Sequence, residues 1–141
     1  MSTTVLHVPS ITSAMARDLV DAAIKAAEPT EQRYSIAVAD SAGHLVAFAR
    51  MDGAYLMSAQ IAQDKAYTSA ASRMTTDQWH GFIKDDAPLA MGATAGIDRL
   101  IAFGGGLPIT VDGVVVGGIG VSGGHWSDDI KIAEAALAAI G

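Results

Sequence analysis

The chain of 141 residues contains no cysteine, and this absence excludes several classes of functional site. Zinc fingers, iron–sulfur clusters, thiolate-ligated haem and cysteine nucleophiles all require a thiolate. Basic residues are also scarce, with 9 Lys and Arg against 15 Asp and Glu and a formal net charge of -6. A nucleic-acid backbone is bound by a basic surface, so this charge balance argues against a nucleic-acid partner.

Long hydrophobic runs are missing as well. The longest stretch without Asp, Glu, Lys or Arg is Met1–Ala16, which contains Pro9 and several hydroxyl residues. A transmembrane helix needs about 20 apolar residues, so we expect no membrane partner. No basic segment followed by an apolar segment resembles a signal peptide, which predicts a cytoplasmic protein. The length suits one domain over residues 1–141.

Hydrophobic spacing and turn residues predict an α+β fold in which hairpin-connected strands form an antiparallel sheet with helices packed on it. Asp112-Gly113 is the strongest of the hairpin signals. The predicted helices are Ile11–Ala27, Ala54–Ser72, a short helix from Thr75 or Thr76 to Lys84, and Asp128–Ile140, with a weak helical turn at Pro88–Ala95; the predicted strands are Ser35–Ala39, Leu45–Arg50, Leu107–Val111 and Val114–Val121.

The second predicted helix has one narrow stripe of small, mildly polar residues with a lysine at its centre. At 100° per residue Lys65 falls on the stripe, opposite the side that carries Leu56 and Tyr67. A buried, unpaired ammonium is costly, so Lys65 must pair with an acid, extend to solvent or line a cavity. The stripe consists of Ser58, Ala62, Lys65, Ser69 and Ser72.

The segment from Gly118 to Gly123 reads GxGxxG, the pattern of a dinucleotide-binding loop. That fingerprint needs a helix to open at once and a parallel second strand, and neither is predicted here. Glycines in a strand also permit close approach of another backbone or of a flat ligand. We favour that interpretation over nicotinamide or flavin binding.

Two further residues are candidates for binding or catalysis. His125 follows Gly123-Gly124 on a predicted loop, where its imidazole either points into a pocket or is exposed. Arg50 ends a predicted strand, and either pairs with Asp52, which would then cap the next helix, or binds a carboxylate. Trp79, Phe82 and Phe103 are predicted to be core aromatics rather than a stacking platform.

Two blocks of the sequence together resemble the GlcG/HbpS-like haem-binding family, a domain also found at the C-terminus of PduO-type cobalamin adenosyltransferases. The first block is Arg50-Met51-Asp52-Gly53-Ala54, then Ser58, then Lys65-Ala66-Tyr67-Thr68; the second is Gly105-Gly106-Leu107-Pro108-Ile109, then Gly117–Gly124. The resemblance implies a single α+β domain with a five-stranded antiparallel sheet flanked by helices in a profilin-like layering. It also implies assembly into a homodimer or a larger homo-oligomer.

The resemblance implies a pocket for haem or a related tetrapyrrole such as a corrinoid. His125 would be the axial ligand of the haem iron, and Arg50 and Lys65 would contact the ligand's carboxylates. The ring would approach the backbone at Gly118, Gly120, Ser122 and Gly123.

Two alternatives stay open. One is a lyase, isomerase or hydratase that needs no cofactor and acts on a small aromatic or carbonyl acid, as a relative acting on a hydroxylamino-aromatic acid does. Arg50 would then orient the carboxylate, Lys65 or His125 would act as general acid or base, and Asp52 would set their charge. The other alternative is a structural oligomer subunit, which would explain the richness in alanine and glycine.

Overall fold

A computed structural model describes residues 4–141 as five α-helices, four strands and one short 3₁₀ turn. The predicted order of elements is confirmed, and most boundaries differ from the prediction by no more than two residues. In chain order the elements are α1 Ser13–Ala27, a 3₁₀ turn Glu28–Thr30, β1 Ser35–Asp40, β2 Leu45–Arg50, α2 Leu56–Ser72, α3 Thr76–Ile83, α4 Ala87–Gly96, β3 Gly106–Val111, β4 Val114–Ser122 and α5 Trp126–Ile140.

The four strands form one antiparallel sheet in the order β2-β1-β4-β3. The expectation of a fifth strand is therefore wrong for residues 4–141. The segment before α1 contains Pro9, which has no N–H to donate to a neighbouring strand. Ile11 N–H donates a hydrogen bond to the Val116 carbonyl of β4, but this contact does not continue into a strand pairing. The segment before β3 is rich in glycine and bends at Gly105, where φ is +128°.

Helices cover both faces of the sheet. Alternate residues of β1 point to opposite faces. Ile36 and Val38 join the large core beneath α1 and α5, together with Ile119 and Val121 of β4. On the other face, β1 presents alanines to α2, and this smaller core consists of Ala37, Ala39, Ala62, Ala66 and Ala70.

Helix α2 lies unusually close to the sheet because β4 presents glycines to it. A Cβ on Gly120 would overlap the Ala62 carbonyl oxygen and lie 2.6 Å from the Ala66 nitrogen. A Cβ on Gly118 would overlap the Ala66 carbonyl oxygen. The stripe predicted on this helix is confirmed, since Ser58, Lys65 and Ser69 are buried against the sheet.

Side-chain hydrogen bonds cap the N-termini of several helices. Thr12 accepts a hydrogen bond from the Met15 N–H, and Thr75 forms a reciprocal capping box with Gln78. Helix α5 begins at Trp126, earlier than the predicted Asp128, because His125 is its N-cap. Asp128 and Asp129 lie in its first turn, as predicted. The weak turn predicted at Pro88–Ala95 is the full helix α4.

The prediction of three core aromatics is wrong for two of them. Phe82 is 58% exposed and Phe103 is 43% exposed, whereas Trp79 is half-buried and packs against the small cluster of Ile83, Ala93 and Leu100. None of the helices described between residues 4 and 141 has the length and apolar character to cross a membrane.

Candidate functional site

Lys65 is the most deeply buried charged residue of α2, with 0% of its side chain exposed. Its Nζ lies 2.9 Å from Asp129 Oδ2 on α5 and donates a second hydrogen bond to the Val121 carbonyl at 2.8 Å. The carboxylate partner of Lys65 is therefore Asp129, and not Asp52 as the sequence suggested. The ammonium is satisfied inside the protein, so its placement favours an internal ion pair over a contact with a ligand's carboxylate.

Burial dominates the electrostatics of this pair. Removal from water lowers the pKa of Lys65, and the attraction of Asp129 opposes that shift. Burial likewise raises the pKa of Asp129, against the attraction of Lys65 and the hydrogen bond from Gly124 N–H. Because both pKa values move toward the neutral forms, desolvation outweighs the mutual attraction of the two charges.

His125 directly precedes Trp126, which lines a small cleft. Its Nδ1 accepts a hydrogen bond from Ser127 N–H at 3.3 Å and lies 2.8 Å from Ser127 Oγ. The ring centroid is 4.9 Å from that of Trp126, whose side chain is 43% exposed. The predicted loop histidine is thus an exposed helix cap whose Nδ1 is engaged by Ser127.

The cleft beside His125 has a volume of about 100 Å³ and is lined by Trp126, Phe103, Asp77 and His80. Its walls come from the start of α5, the loop before β3 and the helix α3. Within residues 4–141 there is no group of three or more His, Asp or Glu side chains able to hold a metal ion on their own. Any iron held here would therefore have to bring further ligands of its own, as a macrocycle does.

Arg50 and Asp52 line a different and larger cleft, of about 540 Å³. Arg33, Glu28, Ile24 and Met51 complete its lining. None of the ion pairs among the described residues involves Arg50, Arg33 or Asp52. The interpretation of Asp52 as a helix cap paired to Arg50 is wrong, since the N-cap of α2 is Tyr55. Two arginines therefore face a cleft without a protein carboxylate in contact.

The remaining residues that were predicted to contact a ligand pack against other parts of this chain. Gly118 and Gly120 face α2, so the backbone that approaches them belongs to this chain. Ser122 is buried and pairs with Ser35 across the sheet. Gly123, at φ +151°, packs on the backbone of Arg33 and accepts a hydrogen bond from Gln32 Nε2 at 2.8 Å.

The sequence-predicted site is thus divided into three places: the buried Lys65–Asp129 pair, the cleft beside His125, and the cleft beside Arg50. Sequence reasoning missed Asp129, Phe103, His80 and Arg33. The signal for Asp129 was present, because an acid in the first turn of an apolar helix can serve either the helix dipole or a buried cation. The other three positions depend on loop and helix placement that no local pattern encodes.

Comparison with known proteins identifies relatives over nearly the whole chain. The family model described as "Haem degrading protein HbpS-like" matches residues 11–138. Protein GlcG of Escherichia coli is 36% identical over 110 residues, covering 77% of this chain and 78% of GlcG. Corrinoid adenosyltransferase PduO of Salmonella typhimurium is 31% identical over 122 residues, which are 86% of this chain but 36% of PduO.

A solved structure extends the comparison to a haem complex. The crystal structure of a PduOC:heme complex superposes with a TM-score of 0.85 at 27% identity, covering 92% of this chain and 94% of that one.

Proposed function

The chain belongs to the HbpS-like family, and from this membership together with the position of His125 we propose that it binds haem. The observation that carries the proposal is the exposed imidazole of His125, held at Nδ1 by Ser127 and seated against Trp126. A metal-binding histidine is typically fixed by a hydrogen bond to its second ring nitrogen. In the tautomer that donates Nδ1–H to Ser127 Oγ, Nε2 is unprotonated and would be the donor atom for iron. The haem complex of the related PduOC domain supports the proposal of haem binding.

The residues around the cleft fit an iron macrocycle better than a bare ion. Bound haem would supply an iron with open axial positions, for which imidazole is a usual ligand. Trp126 and Phe103 offer exposed aromatic faces to a flat apolar ring. His80 lines the same cleft and contributes a second polar group.

The cleft of one chain is too small to enclose haem, because pockets that bury ligands of drug size measure roughly 300–1,000 Å³ and this one measures about 100 Å³. We infer that a second copy covers the exposed ring, so the binding form is a homo-oligomer. Exposed apolar side chains at Tyr55, Leu56 and Met57 support self-association. Sedimentation of the hemin-loaded protein should show a species larger than the 14.4 kDa chain.

Replacing His125 with alanine is expected to weaken hemin binding at least tenfold, equivalent to about 1.4 kcal/mol, and to shift the Soret band. The reason is the loss of the axial nitrogen while the aromatic walls stay in place. A spectroscopic titration with hemin measures both effects. His44→Ala is the matched control, since His44 is exposed in the β1–β2 hairpin and its side chain makes no hydrogen bond in the described structure. An unchanged Soret band in His125→Ala would reject His125 as the ligand.

The cleft beside Arg50 favours a second candidate function, cofactor-independent lyase or isomerase chemistry on a small aromatic acid. Arg50 and Arg33 could hold a substrate carboxylate between two guanidinium groups. Asp52, on the same cleft and without an ion-pair partner among the described residues, would accept or return a proton. Lys65 is a weaker candidate for this role because it is sealed in its pair with Asp129.

Under this second function, Arg50→Gln should weaken binding of benzoate or 4-hydroxylaminobenzoate at least tenfold, because a bidentate contact is removed. Calorimetry gives the affinity, and loss of the hydroxylamino acid's absorbance gives turnover. Arg17→Gln serves as the control, since Arg17 is exposed on α1 and does not line this cleft. Equal affinities in the two variants, or no saturable binding by the unmodified protein, would count against the acid-binding site.

A further inference from the structure

The Lys65–Asp129 pair contacts two of the three segments that line the cleft beside His125, the start of α5 and the loop before β3. Asp129 uses its two carboxylate oxygens in two directions: Oδ2 meets Lys65, and Oδ1 accepts the Gly124 N–H at 3.0 Å. Gly124 directly precedes His125. The pair therefore ties the backbone that carries the imidazole to helix α2.

The opposite wall of the cleft depends on the same ammonium. Lys65 Nζ lies 5.1 Å from the centroid of the Phe103 ring, and Phe103 lines the cleft. A Cβ on Gly105 would sit 2.5 Å from Nζ, so the loop before β3 closes directly over the charge. The Val121 carbonyl at 2.8 Å fixes the end of β4. One buried group thus contacts the loop before β3, the strand β4 and the start of α5.

We propose that Asp129 is a positioning residue for the haem cleft: through its bond to Gly124 N–H it holds His125 and Trp126 in their binding orientation without touching the ligand. Lys65 Nζ, which donates to Asp129 Oδ2 at 2.9 Å, orients that carboxyl group inside the protein. This inference rests on the proposed haem function for its consequence, although the positioning itself is a property of the ligand-free chain.

Two matched double variants separate positioning from charge. Lys65→Met/Asp129→Asn removes both charges but keeps an oxygen that accepts the Gly124 N–H. Lys65→Met/Asp129→Leu removes both charges and that acceptor as well. Both avoid leaving a lone buried charge, so both are expected to fold. The two proteins differ at residue 129 alone, where asparagine supplies an acceptor for the Gly124 N–H together with an amide donor and leucine supplies neither.

We expect the two variants to differ both in the ligand-free protein and in hemin binding. In the Leu variant the Gly124 amide should exchange with deuterium at least tenfold faster than in the Asn variant. Trp126 emission, read in a Trp79→Phe background, should become more readily quenched by acrylamide. Hemin affinity should fall at least tenfold relative to the Asn variant, with an altered Soret band.

The outcomes distinguish the two proposals. If the unmodified protein gives no Soret shift with hemin, the proposed function fails, while amide exchange and Trp126 quenching still test the positioning role. If the Leu and Asn variants show equal Gly124 exchange and equal Trp126 quenching, Asp129 does not position the cleft and the inference is overturned. If these two readouts differ but hemin binds both variants equally, the cleft is positioned by Asp129 but is not where haem binds, and the inference also fails.

Discussion

Replacing Lys65 with methionine is expected to lower the free energy of unfolding by about 3–5 kcal/mol, the usual cost of removing one partner from a buried ion pair. Methionine keeps the apolar stem and deletes the ammonium that lies 2.9 Å from Asp129. The Asp129 carboxylate is then left in a site with 3% exposure, without its counter-charge. Urea unfolding followed by circular dichroism measures the loss as a lower midpoint at unchanged slope.

The double variant Lys65→Met/Asp129→Leu should recover most of that loss. The pKa of Lys65 is lowered and that of Asp129 is raised, both mainly by burial, so burial disfavours the charged form of each group. Replacing such a pair by apolar residues is often neutral or stabilising. If Lys65→Met alone were as stable as the unmodified protein, Asp129 would have to be hydrated or protonated there, and the expected cost of an unpaired buried carboxylate would be refuted.

Local patterns predicted the secondary structure because the signals are local. Helical spacing of small, mildly polar residues placed Lys65 on the inner side of α2, and Asp112-Gly113 placed the last hairpin. The number of strands could not be predicted from local sequence patterns. It was taken from family resemblance, and it failed because the segment before α1 contains Pro9 and the segment before β3 turns at Gly105.

The candidate site could be predicted only in fragments. Lys65 was recognised as needing a partner, yet Asp129 lies 64 residues away in sequence and on another helix, and Asp52, which lies much nearer in sequence, attracted the interpretation instead. Arg50 and His125 were each recognised by their position at an element's end. That they line separate clefts follows from the sheet order β2-β1-β4-β3 and the packing of α3, which depend on contacts between distant segments.

Replacing Gly120 with alanine is expected to destabilise the protein by about 3 kcal/mol or more, because the added methyl group overpacks a rigid contact. The methyl would overlap the Ala62 carbonyl and lie 2.9 Å from the Lys65 Cβ. Backbone atoms of a helix cannot rotate away as a flexible side chain does, so α2 would have to shift off the sheet. That shift would also disturb the Lys65–Asp129 pair, because Lys65 lies on the part of α2 that packs against Gly120.

The matched control is Gly92→Ala in α4, where an added Cβ meets nothing within 4 Å and alanine is expected to stabilise the helix by about 0.5–1 kcal/mol. Urea unfolding of the two variants compares the same chemical change at a packed and an open position. The experiment also separates the two interpretations of the β4 glycines. If they serve the packing of α2, Gly120→Ala loses stability. If a flat ligand used this face instead, the variant would keep its unfolding midpoint and lose hemin binding alone, and the close packing of α2 on β4 would be refuted.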